Sequence, residues 1–145
     1  MNWLTLSIAS GLCAALNGLF AKLVTTTVTS GLVGRIEEGL GVEKAGWMVE
    51  GAVRGLFFVL NLVFNAVMWG MFTAALTRGS SATKVSVINT SSNFMLTALL
   101  GSLIFSERLP PLWFLGAALL IGGSVVIGRR DGEKKDGYVA VSQQE

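Results

Sequence analysis

The stretch SLIFSERLPPLWFLG, residues 102–116, decides how the chain is divided. Up to Phe105 it is apolar or small, and from Leu112 it is apolar again. Between lie Ser106, Glu107, Arg108 and the paired Pro110 and Pro111. Proline lacks the N–H that a helix interior needs, but it suits a helix's first turn. The stretch therefore reads as one helix ending near Phe105, a polar corner, and a new helix starting at a proline. Glu107 then stands near a helix N-terminus, where a carboxylate is favoured by roughly 0.3–1 kcal/mol. A helix-end role is the expectation for Glu107, with a gating or coupling charge as the alternative.

Working outward, the apolar runs on both sides of the corner are long. Uncharged stretches cover residues 1–21, 55–77, 85–106 and 109–128. Each is about 20 residues, the length of helix that spans a hydrocarbon core roughly 30 Å thick. Of the 145 residues, 52% are hydrophobic and 14% charged. Soluble domains carry about a quarter charged residues, so this surface is built for lipid. In lipid every backbone polar group must be satisfied within the segment, which selects helices. A transmembrane barrel would alternate apolar and polar residues in shorter segments, and these runs do not. The expected fold is an all-α membrane protein, an antiparallel bundle of four transmembrane helices at about 3–25, 52–77, 83–105 and 110–128.

The N-terminal run lacks a basic flank and has only a weak small-residue cleavage pattern, LCAALNG at residues 12–18, so a retained helix is expected rather than a signal peptide. Residues 30–51 form the long loop. Within it Leu32, Val33, Ile36 and Leu40 fall at helical spacing, so a short interfacial helix and a solvated loop both fit. Glu50 and Arg54 are spaced for an i,i+4 ion pair. Ser80 or Ser81 can cap the third long helix. From residue 129 to 145 the chain is polar and charged, which predicts a tail without fixed structure. Four spans put both termini on one side, with Arg78, Lys84, Arg129, Arg130, Lys134 and Lys135. The excess of basic residues there favours both termini in the cytoplasm.

Composition excludes several functions. The net charge is +2, and no basic patch interleaves with aromatics, so no nucleic-acid partner is expected. With no histidine and one cysteine, Cys13, no metal or haem site and no other cofactor is expected. Without histidine there is no serine–histidine nucleophile, and no acidic pair sits in a helix at a spacing suited to hydrolysis or metal binding, so the chain is not read as an enzyme.

The informative residues are polar ones inside the helices. Asn61, Asn65 and Trp69 recur at i, i+4 and i+8, and Ser86, Asn89, Thr90, Asn93, Thr97 and Gly101 form a second stripe. Ser7, Ser10, Ala14 and Asn17 form a third. An amide facing lipid is costly, so these stripes must turn inward. They either tie helices together, at about 0.6 kcal/mol per interaction, or line a polar cavity. Asn17, Asn65, Trp69 and Asn93 are the cavity candidates, with Lys22 at the mouth. A Lys22 near a helix end snorkels to the interface; deeper in a continuing helix it would meet an anionic substrate.

Residues 74–130 resemble the closing part of an EamA-type repeat of the drug/metabolite transporter superfamily. The resemblance rests on Gly101, the corner Glu107, the Gly-Ala start at 116–118 and the pair Gly122 and Gly123. LFAKLV at 19–24 is similar to the lysine-bearing end of the repeat's first helix, and NAVMW at 65–69 with the run to SSNF looks like the transmembrane protein 42 family. This implies half of a transporter fold in a eukaryotic membrane, with an endomembrane favoured. It implies transport of a small polar metabolite by a homo-dimer or hetero-oligomer that supplies the other half. A non-transporting accessory protein for a partner membrane protein is the alternative. The first helix has no acid, unlike the four-helix exporters of the superfamily, so proton-coupled export on their pattern is not implied.

Overall fold

The computed structural model describes residues 2–41 and 46–142, with side chains described as far as Ile127, Leu40 excepted. It is all-helical, and no strand occurs among the described residues. Five helices follow in order: α1 (Trp3–Thr25), α2 (Thr27–Leu40), α3 (Gly46–Arg78), α4 (Ala82–Phe105) and α5 (Pro111–Ser142). Three of them, α1, α3 and α4, are long and apolar enough to cross a membrane. The apolar part of α5, Pro111–Ile127, is shorter.

α1 lies between α3 and α4 and packs on both, while α5 touches mainly α4. Close approach of α1 to α4 depends on Gly11. A Cβ there would lie 2.7 Å from the Ser92 Cβ and 3.0 Å from the Asn93 nitrogen. At one end of the three helices Leu6, Ala75 and Val85 form a small buried cluster, with Trp3, Met71 and Phe72 packed against it. Toward the other end Phe20 sits against Phe57 and Phe64, with ring centroids 6.1 and 5.4 Å apart. Elsewhere the helices turn apolar side chains outward: Leu56, Phe58, Val59, Leu62 and Val63 of α3 are all exposed. So much outward apolar surface on one helix needs an apolar surrounding.

The helix ends follow from local chemistry. Asn2 caps α1, its side chain accepting from the Thr5 N–H at 2.8 Å. Ser81 caps α4 and accepts from the Lys84 N–H. α5 starts at Pro111, as the corner's two prolines predict. Ser106 ends α4 in the left-handed region, φ 53°, a conformation that costs a non-glycine residue about 1 kcal/mol.

The segment read as a long loop holds a helix for much of its length, α2. Only one residue, Thr26 in extended conformation, separates α1 from α2. Breaking a helix orphans its last carbonyls, which in lipid must find donors. The Lys22 carbonyl receives the Thr26 N–H at 3.0 Å and the Thr26 hydroxyl at 2.7 Å. The Leu23 carbonyl receives the Thr29 hydroxyl. The Val24 carbonyl receives the Arg54 guanidinium. This is why the threonines of TTTVTS stand where they do. Arg54 also pairs with Glu50 at 2.8 Å, the spacing expected from sequence, and donates to the Ser30 hydroxyl at 3.0 Å. The first turns of α3 thereby hold α2 and the α1–α2 break together.

α5 continues as helix to Ser142, where the sequence led to an unstructured tail. Extending a formed helix costs less than starting one.

Candidate functional site

Two groups of polar side chains hold expected site residues, and elsewhere Ser91 of α4 meets Ser124 of α5 at 3.0 Å. The first is a seam between α1 and α3. Asn61 donates its side-chain amide to the Asn17 carbonyl at 3.0 Å and also to the Asn17 side-chain oxygen. Two to three turns away Ser10 donates to the Met68 carbonyl at 3.0 Å, and Ser7 bonds back to Trp3 within α1. Ser7 and Ser10 are fully buried. The Asn61 and Ser10 bonds join helices and use the polar groups they involve.

The second group is at the α4–α5 corner. Lys22 of α1 donates to the Glu107 carboxylate and pairs with it. The ammonium also lies 4.2 Å from the centroid of the Phe105 ring, a cation–π contact. Both charged side chains are about half exposed, 41% and 52%. The Glu107 carboxylate is brought over Gly101: a Cβ on Gly101 would meet its Oε2 at 2.7 Å. Backbone geometry puts it there. The left-handed Ser106 turns the chain so that the Glu107 N–H reaches back to the Gly101 carbonyl at 3.2 Å. Beside the pair is a small cavity of about 60 Å³, bounded by Gly18, Lys22, Thr97, Gly101 and Glu107. It has the volume of roughly two waters at liquid density.

The expected site residues are therefore dispersed. Asn17 lies in the seam, engaged by Asn61. Lys22 and Glu107 meet each other, and the carboxylate goes to Lys22 rather than serving only as a helix-end charge for α5. α1 ends at Thr25, which places Lys22 in its last turn, the snorkelling position. Asn93 accepts from the Thr97 hydroxyl on its own helix at 3.1 Å. Asn65 is half-buried on α3. Trp69 is 58% exposed and faces outward, edge-on to Phe72 at 6.1 Å. Eight residues along a helix turn the side chain about 80° past two full turns, which carries position 69 off the Asn61 face. The side-chain oxygen of Asn89 is buried without a hydrogen-bond partner.

Asn61, Thr97, Gly101 and Phe105 are the contributors that candidate selection from sequence left out. Asn61 was visible on the stripe with Asn65. The Phe105 contact has no sequence signal, because it depends on where α1 lies. Among the described residues no three Cys, Asp or Glu side chains gather as a metal cage. Compared with known proteins, the chain matches no family model and no solved structure.

Proposed function

We propose that this chain is a four-span, transporter-like membrane protein that binds or moves a small polar metabolite, working as a dimer. The observation that carries the reading is the Lys22–Glu107 pair beside a small cavity. A pair joining α1 to the α4–α5 corner can open and close a path between those elements.

The four spans are α1, α3, α4 and the apolar part of α5, alternating in direction, with both termini cytoplasmic. At 17 residues Pro111–Ile127 covers about 25 Å, and mild bilayer thinning accommodates the difference. Four spans are too few to enclose an alternating-access route, so a second copy supplies the other half. The resemblance of residues 74–130 to a drug/metabolite transporter repeat supports the same reading.

The accessory-protein reading has its own support. The Asn17–Asn61 and Ser10–Met68 bonds spend polar groups on holding helices together, as a scaffold would. One experiment separates the two. Native mass spectrometry from nanodiscs gives the oligomeric state. Thermal shifts with amino acids, dicarboxylates and nucleosides, on wild type and Lys22→Met, give binding. A dimer stabilised by a compound that does not stabilise Lys22→Met is the expected result. A monomer that no compound stabilises would overturn transport and leave the accessory role.

A further inference from the structure

We infer that the groove between α4 and α5 seats one acyl chain of an anionic phospholipid, with Arg108 holding its phosphate. The groove has a volume of about 620 Å³ and is walled by Leu12 of α1, Leu96 and Leu99 of α4, and Leu109 and Trp113. It exists because α5 stands off from α4 at an aromatic spacer: the Trp113 ring stacks on Phe94 at 5.5 Å, with the planes 10° apart. The helices meet again at the Ser91 end of the groove, where the Ser91 and Ser124 hydroxyls are 3.0 Å apart, so the groove is held open by the ring pair and closed by this contact.

Two observations select the occupant. The first is length. Along α4 the groove runs from Ser91 to Ser102, roughly 16 Å at 1.5 Å per residue. That is half of a hydrocarbon core about 30 Å thick, the depth of a single leaflet. It begins at the α4–α5 corner, so a chain entering there would carry its headgroup beside the corner. The second is charge. Glu107 is taken by Lys22, which leaves Arg108, next to the groove residue Leu109, exposed and without an ion pair among the described residues. A guanidinium binds a phosphodiester in a fork of paired hydrogen bonds. The corner thus has a net positive charge at headgroup level and an apolar slot of leaflet depth beneath it. The inference rests on α4 crossing the bilayer and is independent of whether the protein transports.

The test is native mass spectrometry of the full chain released from nanodiscs of mixed phosphatidylglycerol and phosphatidylcholine. Wild type is expected to retain phosphatidylglycerol in preference to phosphatidylcholine. Arg108→Gln should reduce that preference about tenfold, the loss of one charge-assisted contact. Leu99→Trp, which fills the slot, should lose bound lipid of either kind. Phosphatidylglycerol brominated on its acyl chain should quench the fluorescence that Trp113→Phe removes, a readout that needs no groove-filling variant. Equal retention of both lipids by wild type and Arg108→Gln would overturn the proposal, as would failure of the brominated lipid to quench Trp113. If Leu99→Trp keeps its lipid but dissociates a dimer, the occupant is a second copy and the lipid assignment is wrong.

Discussion

The Asn61 side chain bridges α3 to α1 by donating to both the carbonyl and the side-chain oxygen of Asn17. Interhelical hydrogen bonds in lipid average about 0.6 kcal/mol and reach about 1.7. Asn61→Leu should therefore destabilise the protein by about 1 kcal/mol, because the Asn17 oxygen loses its donor. Asn17→Leu should cost a similar amount, and the double variant less than the sum. Unfolding in mixed micelles across the four proteins measures the coupling. Additive costs would show that the two amides act separately, as cavity-lining groups would.

Gly11 and Gly18 look alike in the sequence but meet different surroundings. A Cβ on Gly11 would press on the Ser92 Cβ and the α4 backbone, which cannot move without separating the helices. Gly11→Ala should cost about 1–3 kcal/mol, the range for overpacking a fitted contact. A Cβ on Gly18 meets nothing within 4 Å. Gly18→Ala should be neutral or stabilising, since alanine is the better helix former by about 1 kcal/mol. Thermal midpoints of the two variants in one detergent test the contrast, and equal loss in both would refute the α1–α4 contact.

The pair Glu50–Arg54 carries a pH dependence with a defined sign. Hydrogen bonds from Arg54 and then Ser30 hold the Glu50 carboxyl below the usual carboxylate range. A depressed pKa contributes stability that is present above the unfolded value, about 4.3. That contribution is lost as pH falls through the folded value. Acidification should loosen α2 and the α1–α2 break first, since Arg54 also serves the Val24 carbonyl there. Hydrogen exchange of residues 24–30 at pH 7 and at low pH reads the effect. Glu50→Gln should exchange faster than wild type at pH 7 and respond less to acid.

What the sequence made legible was whatever local chemistry determines. The apolar runs, the Ser81 cap, the Pro111 start and the Glu50–Arg54 spacing all act within one or two helical turns, and all are present. The apolar spacing of α2 is compatible with either helix or loop. The break at Thr26 depends on donors from α3, in particular Arg54, thirty positions along the chain from Val24. Lys22 and Glu107 are 85 positions apart, and a local reading gave Glu107 to the nearer partner, the start of α5. Trp69 shares the i+4 spacing of Asn61 and Asn65 but stands outward, since steps of four drift by about 40° each on a period of 3.6.

The last prediction isolates the Lys22–Glu107 pair from the fold. Gly101 is buried beneath the Glu107 carboxylate, and an alanine Cβ would come within 2.7 Å of Oε2. The obstructing atom is the far end of a flexible side chain, so Glu107 yields and the backbone does not. Gly101→Ala should keep the helix, with a propensity gain of about 1 kcal/mol that offsets the loss of a half-exposed ion pair. Lys22 then loses its carboxylate while keeping the Phe105 ring. The rate of Lys22 acetylation by acetic anhydride, read by mass spectrometry, reports that release. Gly101→Ala and Glu107→Gln should both raise it, by similar factors, with thermal midpoints close to wild type. A wild-type rate in Gly101→Ala would mean that the carboxylate does not need the open face of Gly101 to reach Lys22.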